Sequence, residues 1–185
     1  MKKNLLFLIL IILPLFKISG QDPSFAKGDK VINLGIGVGS AWYTGYGYST
    51  LVPPLSGSFE IGVADNVIDK GVIGVGGYIG YFLNKYTYSV DNEGWKFSNL
   101  YIGARGNFHY PLVEKLDTYL GLTVGINSVS ESTFGGYTGP SYTSFGGLRI
   151  AGFLGARYYF KETIAAMAEL GYGVTYLNLG IALKF

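Results

Sequence analysis

The sequence predicts an all-β chain, an eight-stranded antiparallel up-and-down transmembrane β-barrel, and three observations carry that prediction. Large apolar residues recur at every second position along eight separate stretches, the period of a strand with two unlike faces. Only 14% of the 185 residues are charged against 49% hydrophobic. A soluble domain carries about a quarter charged residues, yet no stretch is long enough for a membrane-spanning helix. The links between stretches also alternate long and short, as they do when tight turns gather at one end of a barrel and loops at the other.

The chain opens with Met1-Lys2-Lys3, an apolar run from Leu5 to Phe16 and a small-residue site at Ile18-Ser19-Gly20. That order is a secretory signal peptide over residues 1–20, and Pro14 and Lys17 cut the run too short for an anchor of about 20 apolar residues. Its removal takes Lys2, Lys3 and Lys17 with it, so the formal charge falls from +2 to −1. A nucleic-acid partner then has no electrostatic support. The chain has no cysteine, which excludes disulfides, thiolate metal sites and a lipid-modified Cys.

Residues 21–30 are polar, contain Pro23 and Gly28, and read as a short leader in the periplasm before a barrel over 31–185. The first strand runs from Val31 to about Trp42, with Ile32, Leu34, Ile36 and Val38 on one face. Tyr43 to Pro54 breaks the alternation with Gly and two prolines, which is loop chemistry. The second strand, Leu55 to Ala64, sets Phe59, Ile61 and Val63 against Ser58, Glu60 and Gly62. After a polar link over Asp65 to Lys70 comes the third, Gly71 to Leu83, and then a longer connection from Asn84 to Lys96. The fourth strand, Phe97 to Tyr110, turns Leu100, Ile102, Ala104 and Phe108 one way and Asn99, Tyr101, Arg105, Asn107 and His109 the other.

Pro111 to Asp117 reads as a tight turn. The fifth strand follows over Thr118 to Val129, alternating Leu120, Leu122, Val124 and Ile126 with Gly121, Thr123, Gly125 and Asn127. Ser130 to Gly146 is the longest loop. The sixth strand covers Gly147 to Phe160 and the seventh Thr163 to Val174, joined at Lys161-Glu162. The seventh connection should be an external loop but is only about two residues long, so strand seven or eight is expected to project past the membrane.

The last strand is the plainest. In Tyr176 to Phe185, the residues Leu177, Leu179, Ile181, Leu183 and Phe185 face one side, and Asn178, Gly180, Ala182 and Lys184 the other. At about 3.3 Å per residue and a tilt near 45°, ten residues rise roughly 23 Å, the height of the apolar band of an outer membrane. This terminal pattern resembles that of the small outer-membrane β-barrels, the OmpA-transmembrane-like and OmpX-like group. The resemblance implies location in the outer membrane of a Gram-negative bacterium, contact with outer-membrane lipid, and a C-terminal signal in Tyr176, Leu177, Leu179, Ile181, Leu183 and Phe185 read by the barrel-assembly machinery.

Volume decides which face points inward. An eight-stranded barrel is only just wide enough inside to be filled by side chains, so rows of Leu, Ile, Val and Tyr from every strand would overfill it. The small and polar face fits. A closed barrel also pairs every backbone N–H and C=O, the condition for a sheet in lipid. Glu60, Arg105, Arg149, Arg157, Glu169 and Lys184 then point into the lumen, where unpaired ions cost several kcal/mol. Glu60 and Glu169 are expected to accept from the three arginines and Lys184. That cluster is either a packed plug or a gate in a porin-like polar path.

Little else points to chemistry. His109, the single histidine, lies two residues before Pro111 and reads as a polar rim residue. The resemblance places the catalytic groups of barrel enzymes at the other end, so no enzyme, cofactor or metal centre is expected. Asp91 and Glu93 form at most a weak divalent-ion pair. Tyr46, Tyr137 and Tyr142 in the long loops could stack on a sugar or touch another protein. The leading expectation is a structural or surface-interaction role through the external loops; the alternative is passive transport of small or apolar molecules through the lumen or a lateral opening.

Overall fold

Alternation needs a partner on each side, and closing the sheet supplies it. The computed structural model describes residues 24–40, 42–88, 93–135 and 143–185. Its strands are β1 (Lys30–Val38), β2 (Tyr48–Val67), β3 (Gly71–Thr87), β4 (Gly94–Val113), β5 (Leu116–Phe134), β6 (Thr143–Lys161), β7 (Ile164–Tyr172) and β8 (Leu177–Lys184). They form a closed antiparallel barrel in chain order. β1 pairs with β2 through Ile32–Phe59 and with β8 through Leu34–Ile181, which closes the ring.

The barrel is turned inside out relative to a soluble one. Leu120, Leu122, Leu179 and Ile181 are 56, 58, 49 and 46% exposed on its outer face. Asn33, Glu60, Arg105, Asn107, Asp117, Arg157 and Glu169 are buried inside it. Room for these long side chains comes from inward glycines on neighbouring strands: a methyl group on Gly74 would run into the Glu60 carboxylate, and one on Gly155 into the Tyr119 ring. These inward glycines are thus a packing requirement of a narrow lumen.

Strand heights are uneven, and here the sequence expectation is corrected. β2 to β6 have 17 to 20 residues each, whereas β1, β7 and β8 have 9, 9 and 8. Strands seven and eight therefore do not project; they form, with β1, a low rim beside a tall wall. The seventh connection is short because it has little height to cross. Instead it folds inward, with Val174 buried against Tyr78, Phe82 and Tyr101 and Gly173, at φ +147, so close to Ala151 that an added Cβ would sit 2.5 Å from the Ala151 Cβ.

Most of the links expected between strands are strand for part of their length: Tyr48–Pro54, Asp65–Val67, Asn84–Thr87 with Gly94–Lys96, Pro111–Val113 with Leu116–Asp117, Ser130–Phe134 with Thr143–Gly146, and Lys161. Above the apolar band both faces are polar, so the contrast that marks a strand disappears while the hydrogen-bond ladder continues through pairs such as Lys85–Lys96 and Lys96–Ser132. Pro53 and Pro54 fall in a register shift between Val52 and Leu55, level with the last β1 pair, Ile36–Leu55. A free edge needs no N–H there. In the other direction β1 stops at Val38 rather than Trp42.

The leader has a defined seat. Ser24 to Asp29 fold back against one end of the barrel. Phe25 is 1% exposed and sits in the lumen mouth against Val31, Val72, Tyr159, Ala165 and Ala182. The segment is held by backbone hydrogen bonds from Gly28 N to Gly62 O (2.9 Å) and from Gly62 N to Asp29 O (3.0 Å).

Candidate functional site

Among the described residues, charged groups from many strands meet in the lumen, and the alternation of each strand fixes which of them arrive. Arg157 on β6 stands at the centre. Its Nη2 donates to Glu60 Oε2 (2.5 Å), its Nη1 to Asp117 Oδ2 (3.0 Å) and its Nε to Asn33 Oδ1 (3.0 Å). The guanidinium also lies 4.6 Å from the Tyr119 ring centre. All three nitrogens are used, which is the condition for burying such a group without a net penalty.

His109 on β4 closes this cluster. Its Nδ1 is 2.7 Å from Asp117 Oδ1 and its Nε2 2.6 Å from Glu60 Oε1, while Phe25 stacks on the imidazole at 4.2 Å. A second pair lies beside it. Arg105 donates to Glu169, which also accepts from Tyr119 Oη (2.8 Å) and Asn178 Nδ2 (3.2 Å). Arg105 stacks 4.0 Å over Phe153. Asn107 links the two groups, accepting from Arg105 Nε (3.3 Å) and donating to Glu60 Oε1 (2.7 Å).

Of the six charges expected to meet, four do. Lys184 instead sits by the leader, 3.5 Å from Asp29 Oδ2, donating to Ser24 O (3.1 Å). It lies too near the turn end to reach either glutamate. Arg149 is exposed at the opposite end, its guanidinium 5.6 Å from the Trp42 ring, and among the described residues no carboxylate reaches it within 4 Å.

Asp117 and His109 take the places expected for these two. The histidine is 1% exposed and engaged on both ring nitrogens, not a rim residue. Asp117 could have been found by extending the β5 alternation one step back, from Tyr119. Among the described residues no group of three acidic or histidine side chains is arranged to hold a metal ion. Asp91 lies outside the described residues, and Glu93 accepts from Tyr88 Oη (3.2 Å).

Towards the long-connection end the lumen fills with rings. Trp42 and Tyr43, from the segment between β1 and β2, pack on Phe82 and Tyr101 beside Val174. A cavity of about 30 Å³ remains between this layer and the Arg105–Glu169 pair, room for about one water. Leader, ion cluster and aromatic layer thus close the lumen at three heights. Of the three loop tyrosines, Tyr46 is fully exposed; Tyr137 and Tyr142 lie outside the described residues.

A closed ring of eight antiparallel strands with a polar, filled interior and an apolar outer belt is a membrane-crossing architecture, since only closure satisfies every backbone group in lipid. The chain is a transmembrane β-barrel. Two solved structures agree in fold. A de novo designed transmembrane β-barrel matches with a TM-score of 0.52 at 15% identity, over 90% of this chain and 100% of the design. The attachment invasion locus protein Ail of Yersinia pestis matches at 0.50 and 16% identity, over 85% of this chain and 95% of Ail. The N-terminal barrel domain of Pseudomonas aeruginosa OprF gives 0.49 at 13%, over 86% and 98% of the two chains. No protein-family model matches the sequence. No curated protein matches it either. At such identities the likeness concerns the barrel and not its task.

Proposed function

We propose that the protein is a non-enzymatic outer-membrane barrel of a Gram-negative bacterium, exported by residues 1–20 and assembled from its C-terminal strand, that works by surface interaction. In this reading the short turns face the periplasm and the long connections the medium. The observation that carries it is the tall wall: β2 to β6 continue past the apolar belt as a paired sheet, above a lumen that is filled. A chain built to conduct has no use for that height, and one built to present a surface does.

Two further features support the reading. His109, the sole histidine, has both nitrogens committed to carboxylates and is sealed beneath Phe25, so it is not available as a general base. The alternative, passive transport, would need a path past three layers of packing. Planar-bilayer conductance separates the two. The expected result is no steady current from the wild-type protein, with unchanged envelope permeability in a deletion strain; a lasting open state that responds to Glu60→Gln or Arg105→Ala would establish transport and remove the surface role.

A further inference from the structure

Above the ion cluster, Asn84 on β3, Asn99 on β4 and Asn127 on β5 point inward on three adjacent strands. Asn99 Oδ1 accepts from Asn127 Nδ2 (3.0 Å) and from Tyr43 Oη (3.2 Å), and Asn99 Nδ2 donates to Phe97 O (3.2 Å). That leaves a donor, Asn84 Nδ2, and an acceptor, Asn127 Oδ1, with no partner. Both residues are more than nine-tenths buried, at 3 and 2% exposure. Buried amide atoms without partners are rare in folded chains and call for an explanation.

The neighbours of this tier are equally specific. Arg149 on β6 places a guanidinium over Trp42 with no carboxylate among the described residues to meet it. Trp42 and Tyr43 occupy the centre, with ring centres 5.4 Å from Tyr101 and Phe97 respectively. They belong to a connection whose ends turn on left-handed glycines, Gly39 at φ +69, with Gly45 at +115 and Gly47 at +88. Glycine takes such angles without the strain that other residues meet there, so the segment carries joints on both sides of its two rings.

We propose that this tier is a ligand site for an acidic saccharide, and that Trp42 and Tyr43 are its stopper. The donor and the acceptor left unpaired each suit a sugar hydroxyl, which can accept from an amide N–H or donate to an amide oxygen. A guanidinium with no carboxylate beside it among the described residues suits a ligand carboxylate, which it grips through two parallel bonds. Aromatic faces that leave Phe82 and Tyr101 can cover the apolar face of a pyranose ring. The site deepens the surface-interaction reading and rests on its placing this end outside the cell, but its chemistry is testable on the purified barrel whatever whole cells do.

The sequence has two tryptophans, so Trp95→Phe leaves Trp42 as the sole indole reporter. In detergent micelles, trigalacturonate should red-shift Trp42 emission as the ring leaves its packed seat. Maltotriose, of similar size and uncharged, should need at least tenfold more, and Arg149→Ala should weaken the trigalacturonate response at least tenfold. Arg149 is exposed, so its loss leaves the barrel folded, which heat-modifiable mobility verifies; Arg149→Lys should fall between. No spectral change up to about 10 mM trigalacturonate, an equal response to maltotriose or to sulfate, or a response indifferent to Arg149 would each overturn the assignment and leave the two amides to ordered water.

Discussion

Buried charge in this barrel follows a simple rule at the level of single residues: where every nitrogen and oxygen has a partner the group stays, and removing one partner strands the rest. Glu60 receives bonds from Arg157, His109 and Asn107 at once. Glu60→Gln should therefore cost about 3–5 kcal/mol, read from denaturant titration of the barrel in micelles. Lys184→Gln removes a half-exposed contact with Asp29 and should cost about 0–1 kcal/mol. In a double-mutant cycle, Arg105→Met and Glu169→Gln together should lose less than the sum of the two, with a coupling of about 0.5–3 kcal/mol. Additive losses would mean that the pair does not act as a unit. Sequence parity placed Glu60, Arg105, Arg157 and Glu169 in the lumen, because alternation fixes the face. It could not fix height, which depends on the stagger between strands; hence Lys184 and Arg149 were assigned to partners they do not reach, and Asp117 was left in a turn.

Segments have their own logic, set by what surrounds them. The leader carries no periodicity because it is not a strand; a single aromatic among polar residues gives no sign that it will be the cork, and only the shape of the lumen mouth makes Phe25 fit. β2 holds it there. A methyl group on Gly62 would approach the Ala26 carbonyl carbon to 3.0 Å and its oxygen more closely still, so Gly62→Ala should lift the leader from its seat. Trypsin should then cut after Lys27 in the variant while sparing the wild type under the same conditions. Equal protection would place the leader's hold elsewhere. At the other end of the chain, β8 pairs with β1 along Leu177 to Lys184 and leaves Phe185 to follow the last pair, its ring 6.5 Å from Phe59. Phe185→Ala removes little packing, yet should lower the amount of assembled barrel in the outer membrane if the terminal pattern is read during assembly. Unchanged heat-modifiable mobility and yield would show the terminal ring to be dispensable.

For the molecule as a whole, the solvent met by the outer face decides the stability. The belt was legible in the sequence because Leu, Ile and Val recur every second residue on a face too bulky to fit a narrow lumen; on β5 it runs from Leu120 to Ile126 and gives way to Thr118 below and Ser128 above. Those two hydroxyl residues are separated by roughly 23 Å along the membrane normal at a 45° tilt, so Leu122 lies near the midplane and Ser128 near a surface. A cation at the first position has no route to water, whereas one at the second reaches it by extending its stem. Leu122→Arg should destabilise by about 2–4 kcal/mol and Ser128→Arg by about 0–1 kcal/mol, measured by denaturant titration in lipid vesicles. The contrast should vanish if the belt faces water, since an exposed arginine costs the same at either height in a uniform solvent.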